Sequence, residues 1–395
     1  MDNKEVKIMH CADLHLGAEI SSLGQFADQR RRELFFTFEK IINICKDESV
    51  DFLCIAGDLF DCVHIDSQSV IEMIELIKSV PETTIVIASG NHDPFCIDSW
   101  FYTKSWPANV TFFSQELSYV LLKEKGVCLW GAGFRSTYHM ESFLEKEINI
   151  PEGDWIHLCV MHGDLLTQGQ TSFYNPLFKE QLRRFPFDYM ALGHVHKRSM
   201  ISKEGSTFYS YSGSPEGHGF DEMGELGVYI GMISKGRCSL QFRRICRRCY
   251  YEVSINLNDD ANAQDTCVIK TNQQISDLIL QTIKDRYFDE SQDHLYKIIL
   301  TGEIPGSFAM DIDGIQQRVQ NACFYIKIED QTTIAIDYDI IAKEQTLKGI
   351  FVKKMLEKIK EAQLKKVDQF SMTSLKNSLQ YGLKAFDGEV ALREN

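Results

Sequence analysis

The chain of 395 residues lacks the features of several protein classes. No apolar run reaches the roughly 18 residues that a membrane-spanning helix requires, so a membrane protein is not expected. The first five residues are charged and lack an apolar h-region, so no secretory signal is expected either. The twelve cysteines are scattered, and Cys11, Cys54 and Cys159 fall in predicted core strands rather than in a disulfide framework. These absences predict a cytoplasmic protein.

Other absences concern partners and cofactors. The chain has no Gly-x-x-x-x-Gly-Lys-Ser/Thr loop, so any ATP-dependent step must come from another chain. Cys246-x-x-Cys249 could be half a zinc site or a redox pair, but neither a second close pair nor a thioredoxin-like context accompanies it. The composition, with 44% hydrophobic and 25% charged residues, is that of an ordinary globular protein, and the length suggests two or three units.

The formal net charge of −14 is unusual for a protein that binds DNA, since non-specific affinity comes from neutralising phosphates with Lys and Arg. Two basic stretches, residues 235–248 and Arg30–Arg32, are candidates for a local DNA-binding patch. Both are equally compatible with an ordinary solvated surface. No individual DNA-binding residue can be named from the sequence.

Five short blocks rich in histidine and acidic residues dominate what is present. In order they are Asp13-Leu14-His15, Gly57-Asp58, Gly90-Asn91-His92-Asp93, Met161-His162-Gly163 and Gly193-His194-Val195-His196. Any one of them alone is more often a turn or a surface pair than a site. Their conjunction differs, because each follows a short, nearly continuous apolar run typical of a buried strand.

Strands at residues 6–11, 51–56, 84–89, 156–160 and 187–192 precede the five blocks, and helical patterns separate the first three. This alternation predicts βαβ units and a largely parallel sheet, whose ligands gather at the carboxyl ends of strands. Residues two apart on an extended segment point the same way, so Asp13 with His15, and His194 with His196, can each face one ion. Three oxygen ligands and four imidazoles suffice for two ions sharing one carboxylate, and such a pair catalyses in-line displacement at phosphorus.

This pattern resembles the calcineurin-like metallophosphoesterase superfamily over about residues 1–235. The resemblance implies an α/β fold in which two mixed sheets pack face to face with helices outside, an αββα sandwich. It also implies that Asp13, His15, Asp58 and His196 hold one ion. Asp58, Asn91, His162 and His194 would hold the other, with Asp58 bridging. His92 matches the catalytic histidine rather than a ligand, and Asp61 could orient His92.

Several segments resemble the SbcD-type DNA repair nucleases more specifically, with the bacterial YhaO-like branch as the best match. They are residues 11–17, Gly57-Asp58-Leu59-Phe60-Asp61, residues 187–196 and residues 211–222. Protein phosphatases carry an arginine after the second aspartate of the Gly-Asp block, which this chain lacks. The resemblance implies a DNA exonuclease subunit of a double-strand-break repair complex, which hydrolyses phosphodiesters with a hydroxide held between two ions. Mn²⁺ is favoured, with Mg²⁺, Fe²⁺ or Zn²⁺ as alternatives.

Two other functions stay open: a phosphoesterase acting on nucleotides, cyclic nucleotides or phosphoproteins, and a non-catalytic scaffold of the same complex. Beyond a boundary near residues 234–250, the pattern predicts a smaller α+β capping domain at 236–338, with strands at 250–255, 266–270, 295–301 and 324–329 and helices at 272–288 and 313–322. Two helices follow in 339–395. They either fold back on the cap or dock onto an SMC-like ABC ATPase, the partner that the resemblance implies. DNA and a second copy of the chain are the other expected partners.

Overall fold

The computed structural model describes residues 4–146, 148–258, 271–287, 292–365 and 367–386. The strand predicted at 266–270, the end of the helix predicted to reach residue 288 and residues 387–395 lie outside this part of the chain. Contacts divide the chain into two compact units. The first runs to Val253 and includes Ile279–Ile299 and Gln316–Glu329; the second comprises Ser254–Leu278, Leu300–Ile315 and the residues from Asp330 onward.

In chain order the described strands are β1 (Glu5–Cys11), β2 (Phe52–Ala56), β3 (Thr84–Ala88), β4 (Val110–Phe113), β5 (Ser118–Leu122), β6 (Val127–Gly131), β7 (Ile156–His162), β8 (Leu165–Leu166), β9 (Leu177–Phe178), β10 (Tyr189–Gly193), β11 (Ser202–Glu204), β12 (Thr207–Tyr211), β13 (Gly227–Ser234), β14 (Arg237–Arg244), β15 (Tyr250–Asn256), β16 (Leu295–Thr301), β17 (Glu303–Ile304), β18 (Tyr325–Asp330) and β19 (Thr333–Ile334). The helices are α1 (Ala27–Asp47), α2 (Ser67–Lys78), α3 (Trp100–Thr103), α4 (Lys179–Leu182), α5 (Asn272–Tyr287), α6 (Ile312–Val319), α7 (Tyr338–Ile341), α8 (Leu347–Leu364) and α9 (Gln369–Phe386), with 3₁₀ turns at Ser21–Phe26 and Gln320–Ala322.

The first unit contains two six-stranded mixed sheets. The first sheet has the order β14-β13-β1-β2-β3-β4, in which β1 to β4 are parallel and β13 and β14 are antiparallel. The second has the order β11-β12-β10-β7-β6-β5, in which β12, β10, β7 and β6 are parallel. Because β14 ends at Arg244, the first sheet extends past residue 235, where the sequence places the end of the catalytic domain.

The two sheets pack on one another through alternate residues of their strands. The shared core includes Ile8, Phe52, Val86, Leu158 and Val160. Helices α1 and α2 cover the other face of the first sheet, while α4 and loop residues such as Phe134 and Phe143 cover the other face of the second. The strand runs are apolar throughout because both faces are buried. The predicted sandwich of two mixed sheets is confirmed, although the outer layer of the second sheet is built more from loops than from helix.

His10 is a buried polar residue within this core. Its ring nitrogens lie 2.8 Å from Tyr189 Oη and 3.1 Å from the Leu192 carbonyl oxygen. Burial lowers the pKa of His10 from 6.5 to about 3, more than the Leu192 hydrogen bond raises it. The folded protein therefore keeps this imidazole neutral at a pH at which the unfolded chain would protonate it.

We expect His10 to make the first unit acid-sensitive. The folded pKa lies below the unfolded value, so the stability is fully present above pH 6.5 and is lost as the pH falls towards 3. Between pH 7.5 and 5.5 the free energy of unfolding should fall by about 1.4 kcal/mol more in the natural protein than in His10→Gln. Urea unfolding of both metal-free proteins, followed by tryptophan fluorescence, measures this difference. An equal fall in both proteins would contradict it.

The basic stretches predicted as DNA-binding patches are partly buried ion pairs instead. Arg30 is fully buried and donates to Glu33 at 2.5 Å and to Glu216 at 2.8 Å. Arg248 is buried as well; its Nη2 lies 2.8 Å from Glu33, and its guanidinium stacks 3.6 Å above the Phe324 ring. These two arginines therefore cannot contact DNA, and they hold α1 against the residues that follow β12 and β14. We call Arg30, Glu33, Glu216 and Arg248 the buried charge cluster.

The Cys246-x-x-Cys249 motif lies beside this cluster. The two sulfurs are 3.7 Å apart and both side chains are buried. Within the described part of the chain, no group of potential metal ligands includes either of them. The structure thus adds no support to the interpretation of the motif as half a zinc site.

The predicted capping elements correspond to β15, β16, β18, α5 and α6, and three of these strands form a sheet in the order β15-β16-β18. In the second unit, α8 and α9 form a hairpin around a small core that includes Val352, Met355, Ile359, Leu379 and Leu383. Leu347 and Ile350, predicted to share the buried stripe, are exposed. None of the described helices is long and apolar enough to cross a bilayer. The domain boundaries proposed from the sequence stay predictions.

Candidate metal centre

The structure brings the seven side chains predicted as metal ligands into one cluster at the carboxyl ends of five parallel strands. The first sheet contributes residues after β1, β2 and β3, and the second contributes residues at the ends of β7 and β10. They are Asp13, His15, Asp58, Asn91, His162, His194 and His196. Because the two sheets face each other, strand ends that lie far apart in sequence meet at one edge.

The loops that carry these residues have an unusual backbone. Asp13, His15, Asp58 and His194 all have positive φ, between 44° and 99°, which non-glycine residues rarely adopt. The expectation that Asp13 and His15 lie on an extended segment is therefore wrong, although both side chains still reach the cluster. Backbone strain of this kind persists where the surrounding structure holds it, and it is concentrated at functional sites.

One half of the cluster contains Asp13, His15 and His196, whose potential ligand atoms lie within 4.8 Å of one another. His15 Nε2 is 3.2 Å from His196 Nε2 and 3.7 Å from Asp58 Oδ2. Two imidazole nitrogens that both point at the same small space, beside carboxylates, form an arrangement suited to a divalent cation.

The other half contains Asn91, His162 and His194. Asn91 Oδ1 lies 2.9 Å from His162 Nε2 and 3.1 Å from His194 Nδ1. His162 Nε2 is also 3.4 Å from Asp58 Oδ2, the oxygen that approaches His15. Asp58 therefore lies between the two halves, as its predicted bridging role requires.

Each of the four imidazoles has one ring nitrogen held by a neighbour, which leaves the other nitrogen facing the cluster. The Nδ1 atom of His162 lies 2.9 Å from the Ala56 carbonyl, and His15 Nδ1 lies 3.1 Å from Asp61. His196 Nδ1 lies 2.5 Å from Glu222 Oε1, and His194 Nε2 lies 3.4 Å from Asp164. Such partners fix the tautomer and ring orientation of metal-binding histidines.

The charges in the cluster are strongly coupled. Burial lowers the pKa of His162, but the carboxylates of Asp58 and Asp13 outweigh burial and raise it to about 9. Burial likewise lowers the pKa of His196, and Glu222 with Asp13 raises it to about 9. Burial raises the pKa of Asp58, yet the facing imidazoles bring it well below the usual range. The carboxylates therefore demand positive charge at this position.

The donor set fits a divalent metal on a separate observation. Asp13 Oδ2 is buried and makes no hydrogen bond to the described part of the chain, whereas Asp13 Oδ1 accepts from the His194 backbone N–H at 2.9 Å. A buried carboxylate oxygen without a partner is costly unless a cation binds it. Carboxylate, amide and imidazole donors together suit Mn²⁺, Fe²⁺ or Zn²⁺.

His92 borders the cluster on its open side. Its side chain is 46% exposed, its ring lies 4.7 Å from the His15 ring and its backbone N–H donates to Asp58 Oδ1 at 2.9 Å. The Asp61 side chain is oriented otherwise than expected: its carboxylate is 3.1 Å from His15 Nδ1 and 3.9 Å from His92 Nδ1. The backbone carbonyl of Asp61, at 3.0 Å, is what contacts His92 Nδ1.

The residues that orient the imidazoles were not identified from the sequence. Glu222 contacts His196 and also His218, and the far nitrogen of His218 lies 3.3 Å from the Leu14 carbonyl. Asp93 accepts from the backbone N–H groups of Gly90 and Phe60, so it ties together the loops after β2 and β3. Burial and the nearby Asp58 raise the pKa of Asp93 to about 8. Spacing alone carries no signal for such contacts, although Asp93 belongs to the third block.

Glycines keep the two sheet edges close together. A Cβ at Gly90 would lie 2.1 Å from Asp58 Oδ1, and one at Gly57 would lie 2.3 Å from His162 Nδ1. Gly57 also has a φ of +90°. Only glycine therefore lets these loops pass directly beside the clustered side chains.

Comparison with known proteins gives an independent view of this site. The sequence profile of the calcineurin-like phosphoesterase family matches residues 6–198. Uncharacterized metallophosphoesterase YhaO of Bacillus subtilis is 24% identical over 268 residues, which cover 65% of this chain and 65% of YhaO. The DNA double-strand break repair protein Mre11 of Saccharolobus solfataricus is 22% identical over 354 residues, 86% of this chain and 83% of Mre11.

A third relative is SbcD, one of the two components of the nuclease SbcCD of Bacillus subtilis, which is 24% identical over 255 residues. These residues cover 55% of this chain and 64% of SbcD. The chain thus matches just under two thirds of the length of YhaO and of SbcD. The profile match contains all seven clustered side chains and His92.

Proposed function

Residues 6–198 form a calcineurin-like phosphoesterase domain, related to YhaO and to SbcD- and Mre11-type nucleases, and we propose that this domain hydrolyses DNA phosphodiester bonds with two divalent metal ions. The observation that carries the proposal is the cluster of seven donor side chains around Asp58, with an unpartnered buried oxygen on Asp13. Members of the family use divalent metals, and this His/Asp cluster could bind them.

In this proposal Asp13, His15, Asp58 and His196 hold one ion. Asp58, Asn91, His162 and His194 hold the other. Asp58 Oδ2 supports the shared role, since it lies 3.7 Å from His15 Nε2 and 3.4 Å from His162 Nε2. Divalent ions held there would make water nucleophilic near neutral pH and would neutralise charge on the phosphoryl oxygens.

The residues of the chain have distinct tasks around that chemistry. His92 is exposed beside the cluster, so it can hold the phosphate or donate a proton to the leaving sugar oxygen. The Asp61 carbonyl orients His92, and the Asp61 carboxylate orients His15. Asp164 and Glu222 orient the remaining exposed imidazoles. His92 and Asp61 thus belong to the catalytic machinery, with Asp61 acting through its neighbours.

The choice of DNA as substrate is supported by the relatives whose names describe DNA repair and nuclease activity. We propose Mn²⁺ as the preferred ion, because the donors mix hard oxygens with imidazole. We further propose an SMC-like ABC ATPase as partner. Exposed apolar residues on α8 and α9, including Leu347, Leu364 and Phe370, provide a surface for it.

A nuclease assay tests the proposal. End-labelled linear duplex and single-stranded DNA are incubated with the full chain and Mn²⁺, with and without the ATPase partner, beside small phosphodiesters and nucleotides. We expect Mn²⁺-dependent shortening of DNA that a chelator stops. Turnover of small phosphoesters with no cleavage of DNA would instead indicate a nucleotide phosphoesterase.

We expect Glu222→Gln to weaken metal binding by about 10- to 100-fold, because removing the carboxylate partner of a ligating histidine costs that much affinity. Titration of the metal-free protein with Mn²⁺ in a calorimeter measures the effect. Glu225→Gln is the matched control, since Glu225 lies on the same loop but is exposed and only 3.8 Å from Arg244. Equal affinities for the two variants would remove the role assigned to Glu222.

A further inference from the structure

A row of aromatic side chains continues outward from the candidate metal centre within the first unit. The ring centroid of Tyr174 lies 4.9 Å from that of His194, Tyr138 lies 5.8 Å from Tyr174, and Phe173 lies 6.2 Å from Tyr138. Tyr138 and Phe173 are 59% and 57% exposed. We call Tyr174, Tyr138 and Phe173 the aromatic row; its inner end touches a proposed metal ligand and its outer end faces solvent.

Backbone hydrogen bonds hold the row in place relative to the centre. The His139 N–H donates to the Phe173 carbonyl at 2.8 Å, and the Asn175 N–H donates to the His139 carbonyl at 2.7 Å. The Asn175 side chain then donates to the carbonyl of His162 at 2.8 Å. The two loops that carry the rings are therefore paired with each other and attached to a residue of the metal cluster.

Adjacent exposed aromatic rings indicate an interaction site, because soluble proteins rarely leave them in contact with water without a use. Flat rings at the surface stack on other flat rings, and nucleobases provide such a face whatever their sequence. A nucleotide also carries a phosphate joined to its base through one sugar. The row thus offers a ring-binding surface directly beside the place where a phosphate would bind.

We propose that the aromatic row is a stacking platform for an unpaired base next to the scissile phosphate. The proposal rests on the proposed phosphodiesterase function and goes further by naming the part of the substrate that is recognised. A base in a duplex has both faces covered by its neighbours, so the platform selects single-stranded or frayed DNA ends. Tyr174 lies innermost, and Tyr138 and Phe173 provide the exposed stacking faces.

Binding measurements test the platform without relying on turnover. The full-length protein in Mn²⁺ is titrated with a fluorescent single-stranded oligonucleotide whose terminal linkages are phosphorothioates, and Kd is obtained from anisotropy at fixed salt. Tyr138→Ala and Phe173→Ala should each raise Kd about fivefold or more. Tyr138→Phe and Phe173→Tyr keep a ring and should leave Kd unchanged. Both pairs change exposed side chains, so folding should not be affected.

A second substrate distinguishes base stacking from other effects. With an abasic terminal nucleotide, the natural protein should bind as weakly as the alanine variants, and those variants should not distinguish the two oligonucleotides. The platform is overturned if alanine replacement leaves Kd unchanged, or if it changes only the oligomeric state in size-exclusion chromatography. Ring-dependent binding without any DNA cleavage would refute the proposed function alone. Cleavage with ring-independent binding would refute this inference alone.

Discussion

His92→Asn is expected to lower the rate of DNA hydrolysis by about 10²- to 10⁴-fold, the contribution typical of a positioned proton donor. His92 is exposed at the edge of the cluster and contacts it through its backbone N–H, which asparagine retains. The variant should therefore bind metal as the natural protein does. Single-turnover cleavage in saturating Mn²⁺, combined with metal analysis of the same sample, measures both properties.

Asp58→Asn is the comparison that separates proton transfer from metal binding. Asp58 approaches an imidazole of each half of the cluster, so its loss should reduce the metal content of both sites together. If His92→Asn cleaves DNA at a comparable rate to the natural protein, the role assigned to His92 is wrong. Two full metal equivalents in Asp58→Asn would contradict the bridging assignment.

Glu33→Ala should be among the most destabilising single changes in the first unit, at about 3–5 kcal/mol. Arg248 donates to Glu33 at 2.8 Å and Arg30 donates to it at 2.5 Å, and all three side chains are buried. Burial raises the pKa of Glu33, but the hydrogen bonds from the two arginines lower it further, so the carboxylate stays charged. Its removal leaves two buried positive charges with Glu216 as their main counter-charge. Chemical denaturation measures the change.

The matched control for this prediction is a surface ion pair. Glu75 contacts Lys78 at 2.6 Å on α2, and both side chains are exposed. Exposed pairs contribute about 0–1 kcal/mol, so Glu75→Ala should change the free energy of unfolding by no more than that. Similar losses for Glu33→Ala and Glu75→Ala would show that the buried charge cluster contributes no more to stability than a surface pair does.

The strands that end at the metal cluster could be predicted because they are short, apolar and followed by polar blocks. The predicted strand at 84–89 is observed as Thr84–Ala88, and the one at 295–301 matches β16. The common edge of the sheets then follows from parallel topology, so convergence of the blocks could be expected from the sequence. The same pattern does not extend to β5 and β6, whose neighbours in the second sheet are fixed by long-range pairing.

Local conformation and orientation were the parts that sequence reasoning could not reach. Asp13 and His15 were expected on an extended segment, yet both have left-handed backbone angles, because the loop is held by hydrogen bonds to Gly57 and Asp58. The partner of His196 is Glu222, 26 residues away. Arg30 and Arg248 looked like surface charges, and only the packing of α1 shows that they are buried. Each of these outcomes depends on tertiary contacts rather than on local pattern.

The division of the cluster between two sheets has a consequence for survival in the cell. Cations held by His15 and Asp58 on one side, and by His162 and His194 on the other, would brace the two halves of the sandwich against separation. A ligand that binds only the native state stabilises it by about 2.7 kcal/mol at a hundredfold excess over its dissociation constant. Metal starvation would then expose the protein to proteolysis as well as silence it, so its abundance would follow metal supply.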